Sequence, residues 1–179
     1  LMLHQYENPG NPGAHELTTG PEIIEQVGEL GHDRIDAFVA TLGTGGTVTG
    51  VARALEPVMP GVRVVAAEPP SGELIAGLRS LDDGYVPPIF DASLLGGKTL
   101  VRTGDSIRMA RRVMAELGWF IGPSAGAAVH ASLKVASRLA PGSVIVTVLC
   151  DAGWKYLSTG VFSGTVEEAT DRVLGKTLW

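Results

Sequence analysis

Apolar positions along this chain gather in short unbroken runs, and stretches of helical periodicity separate them. Ile35 to Leu42 is one such run, closed by Gly43, Gly45 and Gly46. Val48 to Leu55 follows at helical spacing, and Val62-Arg63-Val64-Val65-Ala66-Ala67 is a second run, rich in β-branched residues. Strands that lack polar alternation are buried on both faces, and helices between them imply parallel pairing. The pattern therefore predicts an α/β fold, a mostly parallel sheet with helices on both faces. A helix is predicted from Thr18-Thr19-Gly20-Pro21-Glu22 to about Leu30, opened by Pro21 and stopped by Gly31. Asp105 to Leu117 and Ala125 to Leu139 read as helices, Ser143 to Cys150 as a final buried strand, and Val166 to Trp179 as an amphipathic helix. Asn8 to Gly13 reads as turns, and Pro69 to Gly97 as a short helix around Glu73 to Leu78 followed by a long loop. Leu1 to Tyr6 reads as the end of a buried strand whose start lies upstream.

Composition narrows the class. With 179 residues, 45% of them apolar and 6% aromatic, the chain is sized for about one domain with an aliphatic core. A net charge of −5 argues against nucleic acid and anionic membrane as partners, because no basic block exists to displace counterions. The run Val144 to Cys150 is too short to span a bilayer, so no membrane segment is expected. Cys150 is the sole cysteine, which fits a reducing cytoplasm and reads as a small buried hydrophobe. His4, His15, His32 and His130 are scattered without metal-ligand spacing, so surface or cap roles are expected for them and no metal. Glu167, Glu168 and Asp171 read as the solvated face of the last helix.

Gly43-Thr44-Gly45-Gly46-Thr47 lies where a buried strand gives way to a helix. Backbone N–H groups and two hydroxyls there can converge on an anion at the positive end of the helix dipole. The dinucleotide fingerprint needs glycine where Val48 stands, and the Walker pattern needs a Gly-Lys-Ser/Thr ending that is absent. Two readings remain at this point, a phosphate cradle and a tight turn that uses glycine for close packing.

Four segments in order carry a resemblance: Gln5-Tyr6-Glu7-Asn8-Pro9, Thr18-Thr19-Gly20-Pro21-Glu22, Gly43 to Thr47, and Gly122-Pro123-Ser124-Ala125-Gly126-Ala127-Ala128. The chain resembles the cysteine synthase family of fold-type II pyridoxal-phosphate enzymes. Asp151-Ala152-Gly153-Trp154-Lys155-Tyr156-Leu157-Ser158-Thr159-Gly160 and Leu178-Trp179 are similar to the CysM-type members. The resemblance implies the large C-terminal domain of the tryptophan synthase β-like fold, with pyridoxal 5′-phosphate as cofactor. It divides the chain into a cofactor-phosphate-binding unit over 1–165, lacking its N-terminal part, and a tail over 166–179 that covers the active site.

Carried over, Gly43, Thr44, Gly45, Gly46 and Thr47 would hold the 5′-phosphate, and Ser124 would meet the pyridine nitrogen. Taken alone, Ser124 reads rather as a plain helix N-cap. Gln5 would contact the substrate carboxylate, and Arg79 in Gly77 to Tyr85 would sit at the active-site mouth. An arginine there suggests a phosphate leaving group, because its planar fork binds phosphate bidentately, against the plain alternative of an exposed surface arginine.

The family's cofactor-binding lysine lies in a Ser-x-Lys-Asp-type segment, and its substrate loop is of Thr-Ser-Gly-Asn-Thr type. Neither occurs here. Lys98, Lys134, Lys155 and Lys176 all lack that context, so no catalytic residue is assigned. The resemblance implies that the intact enzyme makes L-cysteine from O-phosphoserine or O-acetylserine and a sulfur donor, either sulfide or a protein thiocarboxylate, as a homodimer. This chain alone is expected to be inactive. Two alternatives stand beside that expectation, a truncated non-catalytic cofactor-binding module and a cystathionine β-synthase-like enzyme.

Overall fold

The computed structural model describes residues 2–175. Four parallel strands form one sheet in the order β3-β2-β1-β4, where β1 is Ala37–Thr41, β2 Arg63–Glu68, β3 Gly97–Leu100 and β4 Ile145–Thr147. Alternate side chains of the central strands leave to opposite faces. On one face, Phe38, Ala40 and Val64 pack with Ile23 and Val27 of α2 (Gly20–Glu29) and with Val48, Val51 and Leu55 of α3 (Gly46–Leu55). On the other, Ala37, Val39, Val65 and Ala67 meet Ala127, Ala131 and Val135 of α5 (Pro123–Ala136). Burying each of the larger side chains contributes roughly 1.5–3 kcal/mol. Helices thus cover both faces, and the unalternating runs of β1 and β2 have their cause.

A second helix layer forms behind α5. There α4 (Thr103–Leu117) lies so close that a side chain at Gly126 would strike the Ser106 carbonyl. The last helix, α6 (Val166–Leu174), starts with a capping box in which Thr165 and Glu168 satisfy each other's backbone N–H, and it packs Ala169 against Ile107 of α4.

Several expectations need correction. Residues 2–4 form no strand, Met2 and Leu3 are exposed, and residues 5–7 form a turn. Apolar character there reflects no burial within this chain. Asn8 to Gly13 is not merely turns, because α1 (Gly10–Ala14) begins within it and leads into a π-helical turn, His15–Thr19. No helix forms over 73–78. Instead the polar side chain of Glu73 accepts from the Thr103 N–H and hydroxyl, tying an irregular segment to the start of α4. β3 begins at Gly97, the last residue of the stretch read as a loop, and is not among the predicted strands. The final strand is only three residues long and half-buried, an edge strand paired with β1 alone. Leu178 and Trp179, the expected apolar tip of the tail, lie outside the described residues, as does Lys176.

Topology itself selects a place for a ligand. The chain builds outward from β1 through β2 to β3, then returns to lay β4 on the other side of β1. Loops leaving the C-terminal ends of β1 and β4 therefore diverge and leave a crevice between them, the usual ligand position in open parallel sheets.

Candidate functional site

That crevice is a cleft of about 560 Å³, lined from the β1 side by Gly43 to Thr47 and from the β4 side by Cys150 and Asp151. Gln5, Arg79 and Ser124 line the same space. The structure thus gathers every residue expected to meet cofactor or substrate into one cleft, although Gln5 and Ser124 are 119 positions apart in the chain (124 − 5).

The glycine loop turns sharply at Gly45, whose φ of +83° is left-handed and which caps α3. Gly46 is required for a different reason: a side chain there would collide with the Asn11 amide. Packing therefore explains these glycines without any ligand, as the tight-turn reading holds. The donors are another matter. Among the described residues, the backbone N–H groups of Gly43, Thr44, Gly45 and Thr47 meet no acceptor, and they gather at the N-terminus of a ten-residue helix. Unsatisfied N–H groups at a helix start attract an anion by both hydrogen bonding and dipole. Thr44 Oγ1 accepts from Asn11 Nδ2 at 3.0 Å and from the Gly46 N–H at 3.2 Å, and Thr47 Oγ1 lies 3.1 Å from His15 Nε2. His15 is the C-cap of α1 but half-buried rather than on the surface, and burial lowers the pKa of its imidazole.

Across the cleft, Ser124 sits in the first turn of α5, 5% exposed, and the N-cap is Gly122 rather than Ser124. Its Oγ lies 3.5 Å from Asp151 Oδ1, at the outer limit of a hydrogen bond. Asp151 Oδ2 accepts a short 2.6 Å bond from Tyr156 OH. Burial first, then this bond, raise the Tyr156 pKa well above that of a free phenol. Asp151 and Tyr156 belong to a segment prominent in the sequence, yet nothing in their spacing said that they would stand behind Ser124.

Arg79 departs from the surface reading. Its guanidinium carbon lies 5.2 Å from the Tyr6 ring centroid and 4.9 Å from that of Tyr85, and the two rings meet edge-on at 6.0 Å. Held between aromatic faces, with a buried Nε that has no hydrogen-bond partner, it presents its charge to the cleft. Gln5 is exposed, and its carbonyl accepts from Asn11 Nδ2 at 2.7 Å.

Cys150 is exposed on the cleft wall, not buried as its hydrophobicity suggested. The atoms packed around its sulfur still raise its thiol pKa, more than the neighbouring Thr41 hydroxyl lowers it. Among the described lysines only Lys155 lines the cleft, half-exposed, with Nζ 4.0 Å from Asp151 Oδ2. Lys98 is engaged by Glu68, and Lys134 donates to the Leu100 carbonyl. No group of three or more His, Cys, Asp or Glu among the described residues could hold a metal, and no described helix is long and apolar enough to cross a membrane.

Fold and cleft together define an α/β domain with an open cleft and unsatisfied N–H donors at its sheet switch point. The family model for pyridoxal-phosphate dependent enzymes matches residues 1–151, and the chain belongs to that family, whose cofactor is pyridoxal phosphate. Cysteine synthase B of Salmonella typhimurium is 42% identical over 161 residues, covering 90% of this chain and 52% of the relative. A cysteine synthase of Staphylococcus aureus strain Mu50 is 39% identical over 166 residues, covering 89% and 53%. The crystal structure of O-ureido-L-serine synthase superposes with a TM-score of 0.81 at 37% identity, over 90% of this chain and 52% of that one. The chain spans about half the length of the curated relatives it matches.

Proposed function

We propose that this chain is the cofactor-anchoring part of a cysteine synthase that uses pyridoxal 5′-phosphate. The observation that carries the reading is the convergence of unsatisfied N–H groups and the Thr44 and Thr47 hydroxyls at one end of the cleft that Ser124 closes at the other. Gly43 to Thr47 would bind the 5′-phosphate, and Ser124 would face the pyridine nitrogen. When bound, the cofactor supplies the electron sink for replacing a substituent at the β-carbon of an amino acid. Ser124 offers a neutral hydroxyl, which unlike a carboxylate does not force a positive charge on the ring. The buried position of Ser124 keeps competing water from that contact. Gln5 would orient the substrate carboxylate at the open side of the cleft.

Arg79 supports O-phosphoserine over O-acetylserine as the substrate. A guanidinium fixed between Tyr6 and Tyr85 has lost little freedom still to lose when it grips a departing phosphate. The sulfur donor is sulfide or a protein thiocarboxylate, and the full-length enzyme is a homodimer. Because Lys155 is half-exposed and lies beside Asp151 on the Ser124 side of the cleft, no described lysine is desolvated as the nucleophile must be. The chain alone binds cofactor without turnover.

The test is to titrate the purified chain with pyridoxal 5′-phosphate, following cofactor absorbance, and to assay cysteine formation from O-phosphoserine and O-acetylserine. Saturable binding without turnover is expected. Absence of binding refutes the cofactor reading, and turnover with a borohydride-fixed cofactor refutes the assignment of inactivity. In an active full-length enzyme carrying this region, Arg79→Ala lowers kcat/KM for O-phosphoserine much more than for O-acetylserine, and equal losses remove the case for a phosphate leaving group.

A further inference from the structure

We propose that Asn11 and His15 are positioning residues that turn the protons of Thr44 and Thr47 outward, making two ambivalent hydroxyls into committed donors for the cofactor phosphate. The proposal rests on the cofactor reading above and deepens it.

A threonine hydroxyl has one proton and two acceptor positions, and an acceptor-only phosphate dianion gains from it only if the proton points at the ligand. At Thr44 both acceptor positions are taken from behind, by Asn11 Nδ2 at 3.0 Å and by the Gly46 N–H at 3.2 Å. Its proton is left to point away from both. The Asn11 amide is not free to flip, because Nδ2 also donates to the Gln5 carbonyl at 2.7 Å and a flip would set oxygen against oxygen.

At Thr47 the same outcome depends on an imidazole. His15 Nε2 lies 3.1 Å from Thr47 Oγ1, and Nδ1 lies 2.9 Å from Thr19 Oγ1. Burial lowers the pKa of His15, so near neutral pH the ring carries one N–H and two tautomers compete. With the proton on Nδ1, Thr47 must give its own proton to Nε2 and turns only lone pairs to the cleft. With the proton on Nε2, Thr19 donates to Nδ1, Nε2–H donates to Thr47, and the Thr47 proton is released for the phosphate. A bound dianion therefore selects the Nε2–H tautomer, because it interacts with the two forms unequally.

Local folding brings these two side chains to the loop. Gly46 and Gly50 lie one turn apart on α3, and a side chain at either would collide with the α1 and π-helical segment: Asn11 at Gly46, Pro12 carbonyl and His15 at Gly50. The bare glycine face admits that segment, and the π-helical turn places Thr19 where it reaches the far nitrogen of the same ring.

The experiment measures affinity for pyridoxal 5′-phosphate and for pyridoxal, which lacks the phosphate, in the wild-type chain and in Asn11→Ala, His15→Leu, His15→Gln and Thr19→Val. Folding is monitored by circular dichroism. Removing one donor relay should weaken pyridoxal 5′-phosphate binding roughly tenfold, the equivalent of one hydrogen bond, and leave pyridoxal unchanged. His15→Gln, whose amide N–H can replace Nε2–H, should recover most of the loss seen in His15→Leu. A second measurement needs no variant: long-range nitrogen-proton correlation spectra of the wild-type ring should show Nε2–H when pyridoxal 5′-phosphate is bound. Wild-type binding with Nδ1–H retained, or an unchanged ratio of the two affinities in His15→Leu and Asn11→Ala, overturns the inference while the cofactor reading stands. A wild-type chain that binds neither compound overturns both.

Discussion

Replacing Lys98 by methionine tests how the cleft wall that carries Arg79 is held. Glu68 ends β2 with its side chain wholly buried, and Lys98 Nζ lies 2.7 Å from its Oε1. The Leu81 N–H donates to Oε2 at 3.0 Å, and Asp82 lies 3.3 Å from the same ammonium. One buried carboxylate and one lysine thus fasten residues 81 and 82, just beyond Arg79, to the edge of the sheet. Removing one partner of a buried pair typically costs about 3–5 kcal/mol because the other charge is stranded. Here the Lys98 side chain is 41% exposed, so water reaches the vacated side and the loss is discounted to about 2 kcal/mol. Urea denaturation of wild type, Lys98→Met, Glu68→Gln and the double variant measures it, and in the Glu68→Gln background the Lys98→Met loss should fall below about half its value. The pH dependence has a definite sign. The hydrogen bond with Glu68 foremost, and then its charge, raise the Lys98 pKa in the folded state. Its stabilisation is therefore complete below the unfolded lysine pKa of about 10.4 and disappears as pH rises through the folded value. The gap between wild type and Lys98→Met should be flat at neutral pH and close in strong alkali. A loss under about 0.5 kcal/mol, within the range of ordinary surface substitutions, or the same loss with and without Glu68, refutes the reasoning.

Three further outcomes follow from the geometry of the cleft. Gly46→Ala drives a methyl group into the Asn11 amide and should destabilise the chain by about 1–3 kcal/mol by urea denaturation, while weakening phosphate binding through Thr44. A loss of stability with unchanged affinity would separate the glycine from the anion site. Tyr156, held neutral by burial and by Asp151, should remain protonated in alkali beyond the ordinary phenol range of about 10; the difference spectrum between wild type and Tyr156→Phe reports its tyrosinate, and ionisation near 10 would contradict the placement. Cys150, exposed but with a raised thiol pKa, should react with iodoacetamide at pH 8 more slowly than a small free thiol, and more slowly still once pyridoxal 5′-phosphate occupies the cleft.

The central fold was legible because β1 and β2 are buried on both faces and their composition says so directly. Phe38 and Ala40 serve one layer, Ala37 and Val39 the other, and polar residues enter only at the strand ends, as Thr41, Arg63 and Glu68. Legibility fails where burial is partial or where a local rule yields to a distant partner. β4 reads as a long buried strand, Ser143 to Cys150, because its residues are apolar, yet it pairs over three residues at an edge. Glu73 to Leu78 has helical composition, but Glu73 spends its carboxylate on Thr103, thirty positions away. The π-helical turn His15–Thr19 leaves no periodic signature at all. What fixes it is the bare glycine face of α3, a contact between segments that one-dimensional spacing does not encode.

The glycine loop shows most clearly how a motif can leave its own reason open. The sequence leaves two reasons open for these glycines, a phosphate cradle and a close-packed tight turn, and the second is met by Gly45 through its backbone angle and by Gly46 through Asn11. The case for an anion comes instead from groups that the glycine pattern does not specify: N–H donors without acceptors and the Thr44 hydroxyl, whose lone pairs are already engaged from behind. Those backing residues, Asn11 and His15, stand in the segment between Gln5-Tyr6-Glu7-Asn8-Pro9 and Thr18-Thr19-Gly20-Pro21-Glu22, two of the four that carried the family resemblance. That arrangement gives the intervening stretch a physical reason to be read together with Gly43 to Thr47. The first segment supplies the Gln5 carbonyl that fixes the Asn11 amide, and the second supplies the Thr19 hydroxyl that reaches the His15 ring. One α3 face, made bare at Gly46 and Gly50, brings both to bear on the loop.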